Sequence, residues 1–183
     1  MDSDKIHSMK AHQKTILFLG HSLIEFFDWQ GRFPGHRVFN LGVAGETAEG
    51  LLSRTERIIT EHPGAELIFI MTGINDVAME EFDFIGSYRK IIEKLKAAYP
   101  EARIFIHSLL PVTLEWVTDE AIREANRSIE ACSKETNAEL IDLYALFLDE
   151  RRRAREDLFL PDGVHLTEKG YSVWAKAIEG IIE

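Results

Sequence analysis

Apolar positions along this chain follow two alternating periods. Short unbroken runs rich in isoleucine, leucine and phenylalanine occur at residues 15–19, 38–41, 67–71, 103–108 and 138–143. Runs of that length, bounded by glycine, proline or polar residues, predict strands, and unbroken apolarity predicts burial on both faces of a parallel sheet. Between them apolar side chains recur at helical spacing: Leu51, Leu52, Thr55, Ile58 and Ile59; Phe84, Tyr88, Ile91, Ile92, Leu95 and Ala98; Ile122, Ala125, Ile129 and Cys132; and Tyr171, Trp174, Ala175, Ile178 and Ile182. Leu23 to Trp29 predicts a shorter amphipathic turn. Pro63-Gly64 and Pro100 punctuate two of the helices, and Thr118 and Thr167 stand where helix caps are expected. About five strands alternating with about five helices predict an α/β fold, a parallel sheet with helices on both faces.

Three strands end at groups that do chemistry. The first stops at Gly20-His21-Ser22, the second at Gly42-Val43-Ala44-Gly45 and the third at Gly73-Ile74-Asn75-Asp76. Ligands of open parallel sheets bind outside the carboxyl ends of the strands, which is where these loops fall. A fourth polar loop, Pro161-Asp162-Gly163-Val164-His165, precedes the last helix. A serine hydroxyl needs a base to take its proton, and histidine, with an ordinary pKa of ~6.5, suits that task. Ser22 is thus the candidate nucleophile and His165 the candidate base. Asp162, three residues earlier, is spaced to fold back onto the imidazole and fix its tautomer. Acyl transfer also needs donors aimed at a developing oxyanion. The Ser22 amide, the Gly45 amide and the Asn75 side chain meet that need. Taken singly, each piece has a plain structural use: Ser22 or Asp162 as a cap, Asn75-Asp76 as a turn, Gly42 to Gly45 as a strand exit. Their shared placement at one sheet edge favours the chemical reading.

Four ordered blocks, Gly20-His21-Ser22-Leu23, Asn40 to Gly45, Gly73 to Asp76 and Asp162 to His165, resemble those of the SGNH or GDSL-type serine esterases and lipases. The resemblance implies a flavodoxin-like three-layer α/β/α sandwich with strand order 2-1-3-4-5. It also implies Ser22, Asp162 and His165 as catalytic residues, with Ser22, Gly45 and Asn75 as the oxyanion hole. His21 stands where the family has aspartate, and on an extended segment it should point away from the face that Ser22 presents.

Composition narrows the partners. At 183 residues and 45% hydrophobic, the chain suits one core, and residues 13–183 are expected to form one domain after a polar tail at 1–12. A net charge of −10 argues against nucleic acid, which demands lysine and arginine against phosphate. A single cysteine, Cys132, on a helix's apolar face, reads as core, and no Cys/His spacing suggests a metal. No apolar run reaches signal-peptide or membrane-span length, so a cytoplasmic protein without stable membrane insertion is expected. The mixed-sign stretch Arg151 to Arg155 reads as a solvated helical face.

The expectation is therefore an acylesterase or lysophospholipase-like hydrolase of a small-molecule ester, needing no cofactor. An acyltransferase, a silent interaction protein, or a nucleotide- or flavin-binding module holding phosphate on Gly42 to Gly45 are the alternatives. The last lacks a Gly-x-Gly-x-x-Gly or Walker-type signature. Trp29, Phe33, Leu110, Val112 and Trp116 follow strand ends and are the candidates for an apolar substrate pocket. The sequence leaves acyl chain and oligomeric state open.

Overall fold

The computed structural model describes residues 12–183, so the polar tail at 1–11 lies outside the described residues. In chain order the elements are β1 (Thr15–Gly20), α1 (Ser22–Glu25), α2 (Trp29–Arg32), β2 (Arg37–Gly42), α3 (Ala48–Glu61), β3 (Leu67–Met71), α4 (Ile74–Ala78), α5 (Ile85–Ala98), β4 (Arg103–His107), α6 (Asp119–Thr136), β5 (Glu139–Ile141) and α7 (Glu168–Ile182). The strands form one parallel sheet in the order β2-β1-β3-β4-β5, as the family resemblance implied.

Strand periodicity divides the apolar residues between the two faces. Leu17, Leu19, Ile68, Ile70, Ile104 and Ile106 pack with α3, α5 and α6. Their neighbours Ile16, Phe18, Phe69 and Phe105 pack with α1, α2 and α7. Register places Phe18 beside Phe69 and Phe69 beside Phe105. Their rings stack at 4.9 and 5.0 Å, forming a ladder across the three central strands. Cross-strand aromatic pairs of this kind fix register as well as adding contact area. Trp29 covers the end of the ladder, stacked on Phe18 at 4.1 Å. Thr47, Thr118 and Thr167 cap α3, α6 and α7 by accepting from Gly50, Ala121 and Gly170. Cys132 is buried in the core.

Two expectations change. The first amphipathic turn is broken into α1 and α2, because the Asp28 carboxylate accepts from the Gly31 amide at 2.8 Å and starts a new helix. Arg151 to Arg155 is not helical. Asp149 accepts from the amides of Arg151 and Arg153 at 2.9 and 2.8 Å, Arg152 takes φ 60°, and Leu148 bridges to Ala154. A side-chain oxygen that captures nearby amides competes directly with helical bonding.

One buried polar element crosses the core. His107, fully buried on β4, bonds through Nδ1 to the Ile70 carbonyl at 3.1 Å and accepts from Trp174 Nε1 at 3.3 Å. That pairing makes Nδ1 the protonated nitrogen of a neutral ring. Burial lowers its pKa to about 4, the bond to Ile70 opposing. His21, also fully buried, is lowered to about 3 by burial and by the nearby His165. An unfolded chain protonates these imidazoles near ~6.5. Between that value and about 4 it binds protons the fold refuses, so stability is complete above ~6.5 and falls as pH drops. The melting temperature should therefore decline from pH 7 to pH 5. His107→Gln, less stable at pH 7, should show the shallower decline; equal slopes would exclude His107 as a source of the acid sensitivity.

Candidate active site

The sheet order reverses at β1, which pairs with β2 on one side and β3 on the other. Loops leaving these strands part above the carboxyl edge, and a crevice opens there. Ser22 follows β1 and begins α1, whose N-cap is His21: the His21 Nδ1 accepts from the Leu23 amide at 3.4 Å. Gly45 follows β2, and Asn75 lies in α4 directly after β3.

His165 comes to Ser22 from the loop before α7. Its Nε2 is 2.9 Å from Ser22 Oγ, and its Nδ1 is 2.8 Å from Asp162 Oδ2. The other Asp162 oxygen accepts from the amides of Val164 and His165, both at 2.9 Å. Asp162 thus folds its own turn and holds the ring of that turn together. Partial burial raises its pKa, but the two amides and the imidazole outweigh this and bring it to about 2. His165, not His21, contacts the hydroxyl.

The loop carrying Gly45 is fastened on several sides. The Val43 amide donates to the Gly20 carbonyl at 2.8 Å and the Ala44 amide to Glu25 at 2.6 Å. Asn75 Nδ2 donates to the Glu46 carbonyl at 2.9 Å, which leaves its second N–H free. The Glu46 carboxylate pairs with Arg54, and Arg54 also reaches the Leu41 carbonyl at 2.7 Å. Gly45 has φ 76°, which favours glycine, and a Cβ placed on it would meet nothing within 4 Å. Among the described residues, neither the Ser22 nor the Gly45 amide donates to another group.

These groups line a cleft of about 490 Å³ walled by Phe26, Ala44, Ile74, Ala78, Leu114, Trp116 and Val164. Trp116 is two-thirds exposed, and Phe26 lies against the His165 ring at 5.3 Å. Of the expected pocket residues, only Trp116 is in this cleft. Trp29 is fully buried beneath the sheet, its Nε1 bonded to the Ile24 carbonyl at 3.0 Å, and Phe33 is stacked over it. Leu110 and Val112 are buried too, because the chain after β4 stays in the core until Thr113 pairs with Gly163 at 2.8 Å. Beyond that contact, Leu114 and Trp116 emerge. Phe26 could have been found from spacing, since it lies one helical turn after Ser22. Leu114, Ile74 and Val164 carry no such signal beyond their nearness to the blocks.

The sheet is flavodoxin-like, with these groups gathered at its carboxyl edge. The chain belongs to the GDSL-like Lipase/Acylhydrolase family, whose model matches residues 23–173. It is similar to the platelet-activating factor acetylhydrolase IB subunit alpha1 of Rattus norvegicus, 22% identical over 94% of this chain and 77% of that protein. Among solved structures it is similar to a GDSL-like lipase from Bacteroides thetaiotaomicron, with TM-score 0.75 and 24% identity over 92% of this chain and 87% of the other. It is also similar to Axe2, an acetylxylan esterase from Geobacillus stearothermophilus, with TM-score 0.76 and 22% identity over 95% and 96%. Among the described residues, no helix is long and apolar enough to cross a membrane.

Behind the site, buried Asp76 supports the start of α3: its carboxylate oxygens lie 3.1 and 3.2 Å from the Ala48 amide. Burial raises the Asp76 pKa, the bond from Ala48 opposing. Asp76→Ala would strand a buried donor, which costs about 1–3 kcal/mol. A fall in melting temperature of several degrees is expected, with a smaller fall for Asp76→Asn, which keeps an acceptor. Thermal melts of the two variants check it.

Proposed function

We propose that this chain is a serine ester hydrolase that cleaves carboxylic esters through an acyl-serine intermediate. The observation that carries the proposal is the continuous chain from Ser22 Oγ through His165 to Asp162, with contacts of 2.9 and 2.8 Å. Ser22 Oγ attacks the ester carbonyl as its proton passes to His165 Nε2. Asp162 stabilises the resulting imidazolium and keeps the ring in the productive tautomer. The carbonyl oxygen becomes an oxyanion facing the Ser22 and Gly45 amides and the free N–H of Asn75. His165 then gives its proton to the departing alkoxide, which leaves as the alcohol. In the second half a water yields its proton to His165 and adds to the acyl carbon, and collapse releases the acid and restores Ser22. The His165 and Asp162 side chains are 30% and 50% exposed, so water reaches the base directly. That exposure favours hydrolysis over transfer to another acceptor.

The cleft is walled by apolar groups from Ala44 and Ala78 up to Phe26 and Trp116, and its charged members are the triad's own. Such a site suits a small neutral ester. Two of the relatives are named for acetyl esters, which supports a short acyl group here. Hydrolysis of p-nitrophenyl esters of graded length should fall as the acyl chain grows, and a fluorophosphonate should label Ser22. Product analysis with an alcohol acceptor separates hydrolase from acyltransferase, and a wild-type protein inert to every ester and to the label would overturn the proposal.

Ser22→Ala and His165→Ala should each lower kcat by about 10⁴ to 10⁶, and the double variant should lose little more, because residues that act as a unit are non-additive. Asp162→Asn should lose as much or less. Near-normal turnover in His165→Ala would remove it as the base.

Asn75→Ala should reduce kcat by about 10² to 10³ with KM little changed, since the oxyanion forms only as the reaction proceeds. A modest loss of stability should accompany it through the bond to Glu46. Turnover unchanged in a destabilised protein would leave Asn75 only its structural role.

A further inference from the structure

Gly45 has no side chain to hold it, and its amide direction is set by its two neighbours. On one side, the Glu46 carbonyl is held by Asn75 at 2.9 Å. On the other, the Ala44 amide donates to the carboxylate of Glu25 at 2.6 Å. Glu25 is the last residue of α1, the helix that begins with Ser22. Its backbone is fixed as well: its amide bonds to the His21 carbonyl at 3.1 Å, and its carbonyl accepts from Asn40 Nδ2 at 3.1 Å. The same Asn40 amide reaches the Ile24 and Phe27 carbonyls, while Asn40 Oδ1 takes the Gly42 amide at 3.1 Å. A Cβ on Gly42 would lie 2.3 Å from the Glu25 nitrogen, so β2 runs directly against α1. Helix and strand exit are one stitched unit, and Glu25 is its side-chain tie to the oxyanion loop.

We propose that Glu25 is a positioning residue that sets the Gly45 amide against Ser22 by holding the Ala44 amide. The inference rests on the esterase reading of the site. Glu25 itself neither lines the cleft nor touches the reacting atoms; it acts on a cleft residue, Ala44, through one charge-assisted hydrogen bond, stronger than a neutral one. Without it Ala44 loses its anchor, and Gly45 is free to turn about the end held by Asn75. A displacement of about 1 Å at such a donor can cost on the order of 10²-fold in rate.

The test compares wild type, Glu25→Ala and Glu25→Gln on a short-chain p-nitrophenyl ester, with kcat expressed per folded molecule, and follows the Ala44 amide by hydrogen exchange in ¹H–¹⁵N spectra. Glu25 is exposed, so both variants should fold. Glu25→Ala should lower kcat by roughly 10- to 100-fold with KM within about threefold, and its Ala44 amide should exchange faster. Glu25→Gln, whose amide oxygen can accept the same N–H, should recover both rate and protection to near wild type. Unchanged kcat in Glu25→Ala, or a Gln variant as slow as the Ala variant, would overturn the inference. So would an Ala44 amide that exchanges equally in all three proteins, whatever their activity. Loss of the esterase reading looks different: the wild type itself is then inert, while Ala44 protection still depends on residue 25.

Discussion

β1 lies between β2 and β3, and much else in the structure depends on that pairing. Parallel neighbours on both sides leave it no open edge, and helices cover both faces of the sheet, which is why its sequence is apolar without alternation. Where β1 ends, the packing stays tight: a Cβ on Gly20 would lie 1.9 Å from the Met71 carbonyl oxygen. The chain therefore leaves β1 through a residue only glycine can fill, at φ 146°, and Ser22 emerges into the crevice at the start of a helix. The groups facing Ser22 arrive from β2, β3 and the loop before α7, and their supports sit behind them.

Those supports divide between sequence-local and distant contacts. Asp162 organises its own turn through two amides and one imidazole within three residues. The oxyanion loop instead takes bonds from α1, α3 and α4, elements that are adjacent only after the sheet has formed. The base and its aspartate can take shape locally, whereas the donors depend on the completed fold.

That difference explains what was legible in the sequence. Unbroken apolar runs gave the strands and helical spacing gave α3, α5, α6 and α7 but not α4; polar residues at strand ends gave Ser22, Gly45 and Asn75 a common edge, and the loop before the last helix gave Asp162 and His165. Strand order came from the resemblance alone, because periodicity carries no information about which strands pair. Trp29 was misplaced because nearness to a strand end does not say which way a short helix turns, and the Asp28 cap turns this one beneath the sheet. Arg151 to Arg155 was misread because its charges suggested a helix while Asp149 captured the amides a helix needs. Glu25 gave no signal: an exposed glutamate in a helix is ordinary until its distant acceptor role is seen.

The contact between Thr113 and Gly163 joins the loop that delivers Trp116 to the turn that carries Asp162 and His165. A Cβ on Gly163 would lie 2.4 Å from Thr113 Oγ1, so the two segments meet without slack. Cleft wall and base are mechanically a single piece. Remodelling residues 113–117 to admit a bulkier ester would therefore move the proton-transfer turn as well, whereas Phe26, the residue that closes α1, meets the His165 ring from a separate element.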